Sequence, residues 1–263
     1  MPCRTEEVLI RFASLGSGSR GNAMVVESTQ TRLLIDCGFG PRELARRLAG
    51  LGLTGEDFDA ILVTHEHSDH IGGAAACARR FRVPLCMTHG TRVAGLCNDA
   101  GLEVRVIDSH GSFAVGDLEV QAFPVPHDAR EPAQFTVSDG KVRFGMLTDI
   151  GIATTHVIEM LSACDGLVLE CNHDAAMLAG GNYPYPLKQR IGGRFGHLEN
   201  SEAAAILAQL DHGRLQHVVA AHLSEHNNTP SLAAAALAAV MGCDPSLIGI
   251  ADQDVGSDWR TIE

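Results

Sequence analysis

An apolar stretch that ends in a burst of imidazole and carboxylate side chains limits what this chain can fold into more than any other feature. In Ile61-Leu-Val-Thr-His-Glu-His-Ser-Asp-His70, three histidines and an aspartate fall within six residues, directly behind what reads as a buried strand. A strand that ends in a tight loop points alternate side chains into one cleft, so His65 and His67 can share one metal ion while Asp69 and His70 face a second. Imidazole nitrogen and carboxylate oxygen suit zinc, or manganese and iron as carboxylates increase. A solvated polar turn has no need of this ligand density.

The chain has 263 residues, 45% of them hydrophobic, which is enough for a large core in one or two domains. No apolar run reaches the roughly 18 residues of a membrane helix. The charged start Met1-Pro-Cys-Arg-Thr-Glu-Glu7 does not read as a signal peptide. The eight cysteines (3, 37, 77, 86, 97, 164, 171 and 243) form no CxxC pair, so reduced thiols in a cytoplasmic protein are expected. Cys37 beside Asp36 and Cys171 beside Glu170 read as buried structural thiols. A net charge of −12 argues against wholesale attraction to nucleic acid or anionic membrane. Bound divalent metal and a local basic patch can reverse that sign where it matters.

Strands are expected at Val8–Phe12, Ala23–Glu27, Arg32–Asp36, Asp59–Val63, Leu85–Thr88, Val104–Ile107, Leu118–Phe123, Gln134–Ser138, Val142–Leu147, Gly166–Glu170, His217–Ala220 and Leu247–Ala251. Helices fit Pro41–Ala49, Gly72–Phe81, Thr155–Ala163, Ser201–Leu210 and Ser231–Met241. Leading strands followed by mixed strand and helix segments imply an α/β protein. The expected form is a four-layer αβ/βα sandwich of two mixed β-sheets flanked by helices. With no repeat, linker or low-complexity block, a single domain over 1–263 is the simplest organisation.

Three further ionisable residues stand at strand ends, where open α/β proteins place their ligands. His127 follows a strand broken by Pro124 and Pro126, Asp149 follows Arg143-Phe-Gly-Met-Leu-Thr148, and His222 follows Val218-Val-Ala-Ala221. Together with the cluster they form two sites, His65/His67/His127 and Asp69/His70/His222, with Asp149 between them.

In these residues the chain resembles the metallo-β-lactamase fold superfamily of metal-dependent hydrolases. Thr64-His-Glu-His-Ser-Asp-His-Ile-Gly-Gly73, His127, Asp149 and His222 occur in the family's order. Asp36, in Leu33-Leu-Ile-Asp-Cys-Gly38, matches the early aspartate that supports the loop histidines from behind the metals. Ser14-Leu-Gly-Ser-Gly-Ser-Arg-Gly-Asn22, Pro126-His-Asp-Ala129, Leu169-Glu-Cys-Asn-His-Asp174, Gly196-His-Leu-Glu-Asn200 and Ala221-His-Leu-Ser-Glu-His-Asn-Asn228 resemble YycJ/WalJ-type members, proposed to be DNA exonucleases. Similarity to RNase Z implies that Glu170 and His197 form a proton-delivery pair. Glu199 departs from the serine expected in Gly-His-Leu-Ser-Asn.

The resemblance implies a two-metal phosphodiesterase or nuclease, working like a 5′-to-3′ DNA exonuclease with a metal-bridging hydroxide as nucleophile. Asp69, Asp149, Glu170 and His197 are its expected catalytic groups, with His197 as the acid and His173 as its alternative. Between Asp174 and Glu199 there is no acidic residue, while Lys188, Arg190 and Arg194 occur with Tyr183 and Tyr185, the chain's only tyrosines. Such a segment can bind phosphates and stack bases, or it can be a plain surface loop. Ser17, Ser19 and Asn22, in the Gly/Ser loop, are further candidate phosphate contacts. Thioester or lactone hydrolysis, a metal-dependent binding protein without catalysis, and an iron redox protein are the competing readings.

Overall fold

The computed structural model describes residues 9–96 and 98–263. Val8, the expected start of the first strand, and Cys3 and Cys97 lie outside the described residues. The first half runs β1 (Ile10–Gly16), β2 (Ala23–Glu27), β3 (Arg32–Ile35), α1 (Pro41–Gly50), β4 (Ala60–Leu62), α2 (Ser68–Ile71), α3 (Ala74–Phe81), β5 (Leu85–Thr88), α4 (His89–Gly95) and β6 (Val104–Ile107). The second half continues with β7 (Ser112–Val115), β8 (Leu118–Pro124), β9 (Ala133–Ser138), β10 (Arg143–Leu147), α5 (Thr155–Leu161), β11 (Gly166–Glu170), α6 (Ala175–Gly180), α7 (Tyr185–Ile191), α8 (Asn200–Gln209), β12 (His217–Ala221), α9 (Pro230–Met241), β13 (Gly249–Ile250) and β14 (Arg260–Ile262).

The strands form two seven-stranded sheets, ordered β14-β1-β2-β3-β4-β5-β6 and β13-β12-β11-β10-β9-β8-β7. Each is antiparallel at one end and parallel at the other, with β3 to β6 parallel in the first and β10 to β13 in the second. Helices lie on both outer faces. Leu44 and Leu48 of α1 and Cys77 and Ala78 of α3 cover Leu34, Ile61 and Leu85. Ile206 of α8 and Leu237 of α9 cover Leu167, Leu169 and Val218. Between the sheets Phe12 meets Phe144 at 4.7 Å between ring centroids, amid Phe135 and Val168. Each such phenylalanine contributes about 1.5–3 kcal/mol by leaving water. The expected helix, sheet, sheet, helix layering is present.

Local chemistry explains which elements were legible. Thr229 accepts from the Leu232 amide, Pro230 opens α9, and Gly242 ends it at φ 62°. By contrast α4, α6 and α7, of seven residues or fewer, and the short strands β7 and β14 were not expected from the sequence. The tyrosine-basic segment, to which no helix was assigned, contains the helix α7. The first strand also runs further than expected, to Gly16.

Parallel strands bring their carboxyl ends to one edge, and that edge carries the polar residues. Asp36 (φ 61°) follows β3, Asp149 (φ 55°) follows β10 and His222 (φ 55°) follows β12, all in the left-handed region. A non-glycine residue held there costs about 1–3 kcal/mol and persists only where its surroundings dictate it. Each turns its chain sharply out of the sheet at the position where its side chain is used.

Candidate metal centre

The loop after β4 supplies His65, His67, Asp69 and His70, and the second sheet supplies His127 after β8, Asp149 after β10 and His222 after β12. Possible ligand atoms of His65, His67 and His127 lie within 4.8 Å of one another, as do those of Asp69, His70 and His222. Asp149 reaches both groups: its Oδ2 is 3.1 Å from His70 Nε2, and its Oδ1 is 3.9 Å from His127 Nε2 and 3.6 Å from His222 Nε2.

The remaining ring nitrogens of His65, His70 and His127 are occupied from behind, which fixes which nitrogen faces the centre. His70 Nδ1 is 2.8 Å from Asp36 Oδ2. The same aspartate accepts from the Thr64 amide and hydroxyl, and Thr64 Oγ1 lies 2.9 Å from His65 Nδ1. His127 Nδ1 donates to the Gly196 carbonyl at 3.1 Å. The buried atoms His65 Nε2, His222 Nε2 and Asp149 Oδ2 have no hydrogen-bond partner. Orphaned buried nitrogen and carboxylate oxygen at one point are what divalent metal satisfies, so these residues fit it. Burial, reinforced by neighbouring imidazoles, holds His65 and His127 below the ordinary histidine pKa, in the neutral form that ligates.

Glu170, fully buried at the end of β11, is the hub behind the second sheet's contribution. Its Oε1 accepts from His197 Nδ1 at 2.8 Å and lies 3.2 Å from His222 Nδ1. Its Oε2 accepts from the amides of Ile150 and Leu198 at 3.1 and 3.3 Å. Burial pushes the Glu170 carboxyl up, but the charge and hydrogen bond of His197 and the hydrogen bond of His222 together outweigh it and hold the carboxyl at about 2. Burial opposes charge on His197, and Glu170 and Asp149 override it to raise the imidazole's pKa. Asp149, Glu170, His197 and His222 also come within 4.8 Å of one another. Both Glu170 oxygens are already committed, however, so this group reads as a hydrogen-bonded relay.

The profile of the beta-lactamase superfamily domain matches residues 31–222, from just before β3 to His222. The chain belongs to this superfamily. Within it, the chain is 30% identical to the exodeoxyribonuclease WalJ of Streptococcus pneumoniae over 264 residues, 98% of this chain and 95% of that protein. It is 33% identical to the exodeoxyribonuclease YycJ of Bacillus anthracis over 235 residues, covering 88% and 89%. In fold it is similar to the metallo-beta-lactamase fold protein YhfI from Bacillus subtilis, with a TM-score of 0.76 at 16% identity, over 97% of this chain and 100% of that one. This metallo-β-lactamase-fold protein is a metal-dependent hydrolase, and its centre binds divalent metal.

The superfamily's metal edge opens here into a cavity of about 370 Å³, lined on the ligand side by His67, Asp69, Asp149 and His222. Of the candidate substrate contacts, Ser19, Tyr183 and Arg190 line it. Ser17 and Asn22 instead brace the centre from within. Ser17 Oγ accepts from the His222 amide at 2.9 Å, and Asn22 links the Gly18 carbonyl to the Asp69 backbone. His173 is buried with Nδ1 unpartnered, outside the cavity lining. Tyr185 is 73% exposed, Lys188 donates to the Ala179 carbonyl, and Arg194 is exposed; none of the three lines the cavity.

Two residues with no role assigned from sequence stand out. Asp128 accepts from Arg190 at 2.7 Å and lies 3.5 Å from His127 Nε2, so it ties α7 to the metal edge. Asn172 donates to the His222 carbonyl at 2.9 Å. Asp128 directly follows a strand-end histidine, which was the signal available for it. Asn172 had none. Burial pushes the Cys171 thiol up, in line with a structural role.

Proposed function

We propose that the protein is a nuclease that hydrolyses phosphodiester bonds in DNA, an exonuclease working from the 5′ end, with two divalent metal ions, zinc first among them. The observation that carries this reading is the Glu170–His197 pair beside the ligand cluster, since a buried carboxylate that orients an imidazole is suited to delivering a proton to a poor leaving group. The names of the curated relatives, which cover nearly the whole chain, point the same way.

His65, His67 and His127 would hold one ion and Asp69, His70 and His222 the other, with Asp149 between them. Metal bound there would supply positive charge for the phosphate and acidify water for attack. The chain's own residues do the rest. Glu170 keeps His197 protonated on Nδ1 and leaves Nε2 as the atom that passes a proton to the departing sugar oxygen. Asp128 sets Arg190 at the cavity rim, where its guanidinium attracts the phosphate backbone. Because both sheets supply the groups, we take the 263 residues as one functional domain. No helix of the described residues is long and apolar enough to cross a membrane. The free cysteines among the described residues, buried except for Cys243, suit a reducing cytoplasm.

The test is metal-reconstituted protein assayed side by side on 5′-labelled single- and double-stranded DNA, RNA, a small phosphodiester and a thioester. Stepwise loss of 5′ nucleotides from DNA, abolished by a chelator with the fold retained, is expected. Hydrolysis of the thioester alone would overturn the proposal.

A further inference from the structure

A second hollow, of about 470 Å³, is lined by residues next to the segments that carry His127 and His197. It is lined by His110, Pro124, Pro126, His156 and Phe195, among others, and none of its lining residues is a carboxylate. Phe195 is 60% exposed, an unusual state for a phenylalanine. The rings of His110 and His156 stand 6.1 Å apart, and His156 Nε2 is buried without a hydrogen-bond partner.

Close chain neighbours divide between this shelf and the metal cavity. Phe195 faces the shelf while Gly196 and His197 face the cavity, and Pro126 faces the shelf while Asp128 faces the cavity. The shelf is also fixed to the centre: the Asp128 amide donates to the Phe195 carbonyl at 3.0 Å, and the Gly151 amide to the Pro126 carbonyl at 2.9 Å. A Cβ on Gly151 would stand 2.3 Å from the Arg194 carbonyl carbon, so only glycine lets the loops close this tightly. Among the segment's cations Arg190 is paired with Asp128 and Lys188 with a carbonyl, whereas exposed Arg194 has no carboxylate partner among the described residues.

We propose that this shelf is a base-stacking subsite for the nucleotide flanking the phosphate held in the metal cavity. A strand leaving the cavity over Gly196 meets an aromatic face and two imidazole rings, with exposed Arg194 next to Phe195 in the chain, which match a base and its phosphate. The absence of carboxylates from the lining and the continuity with the catalytic cavity select a nucleic acid as the occupant. The proposal rests on the nuclease reading above.

The test uses the metal-loaded full chain and phosphorothioate-linked oligothymidylates with 2-aminopurine placed singly at each of the three positions nearest either end. Quenching at a defined position is expected with the native chain, lost in Phe195→Ala and kept in Phe195→Trp. In parallel, Phe195→Ala should raise KM for an ordinary oligonucleotide about tenfold and leave hydrolysis of bis(4-nitrophenyl) phosphate unchanged. Quenching that survives Phe195→Ala, or equal loss on both substrates, overturns the subsite; the nuclease reading then stands if DNA is still cleaved. If Phe195-dependent quenching occurs but no phosphodiester is cleaved, the nuclease reading fails and the subsite remains. Competition for the shelf by an apolar peptide but not by an oligonucleotide assigns it to a protein partner and also overturns the proposal.

Discussion

The two sheets build the same centre in opposite ways. The first delivers His65, His67, Asp69 and His70 from one turn after β4, held by Asp36 and Thr64 a short distance behind. The second delivers single residues from the ends of β8, β10, β11 and β12, spread from His127 to His222 and gathered behind by Glu170. In the turn, ligand spacing is local backbone geometry. In the second sheet it is set by alternate strands, since β9 lies between β8 and β10 and β11 between β10 and β12, with left-handed Asp149 and His222 aiming their side chains. The turn should therefore tolerate damage from far away, whereas the second sheet should transmit it.

Removing the residue that joins the two contributions gives the largest expected effect. Asp149→Ala should abolish turnover and lower bound metal, read by elemental analysis and by kcat on a labelled oligonucleotide; full metal content with normal kcat would remove Asp149 from the centre. His197→Ala should lower kcat about 10²- to 10⁴-fold while metal content stays whole. If that variant loses metal, His197 is a ligand and the relay assignment is wrong. Asp36→Asn strikes only the first sheet's support and should weaken metal affinity about 10- to 100-fold in a chelator competition. Unchanged affinity would show that the turn holds its histidines unaided. The smallest effect is expected for Ser17→Ala, which strands the His222 amide and should cost about 1–3 kcal/mol in a denaturant titration, with kcat little changed. A loss of metal comparable to that of Asp36→Asn would mean that the second sheet is as sensitive to its backing as the first.

The difference between the sheets also explains what could be read in advance. His65 to His70 announce themselves because their partners are neighbours in the chain. His127, Asp149 and His222 were legible because each follows an apolar strand that ends in a turn. The Gly/Ser loop misleads for the same reason: Ser17 and Asn22 look like phosphate binders locally, yet their hydrogen bonds go to the backbones of His222 and Asp69. Asn172, a single amide, left no periodic trace, and the helical form of the tyrosine-basic segment, whose Pro184 and Pro186 stand at its start, was not read from the sequence.

The sequence by itself determined the ligand chemistry, the strand ends that carry it and the layered fold, because these follow from side-chain type and apolar period over a few residues. Only the tertiary structure decided that one oxygen of Glu170 serves both His197 and His222, that Asp128 reaches Arg190 on α7, and that Phe195 lies open beside the cavity. Those relations depend on which strands lie side by side and how closely loops from different strands approach, and no local pattern in the chain encodes such distances.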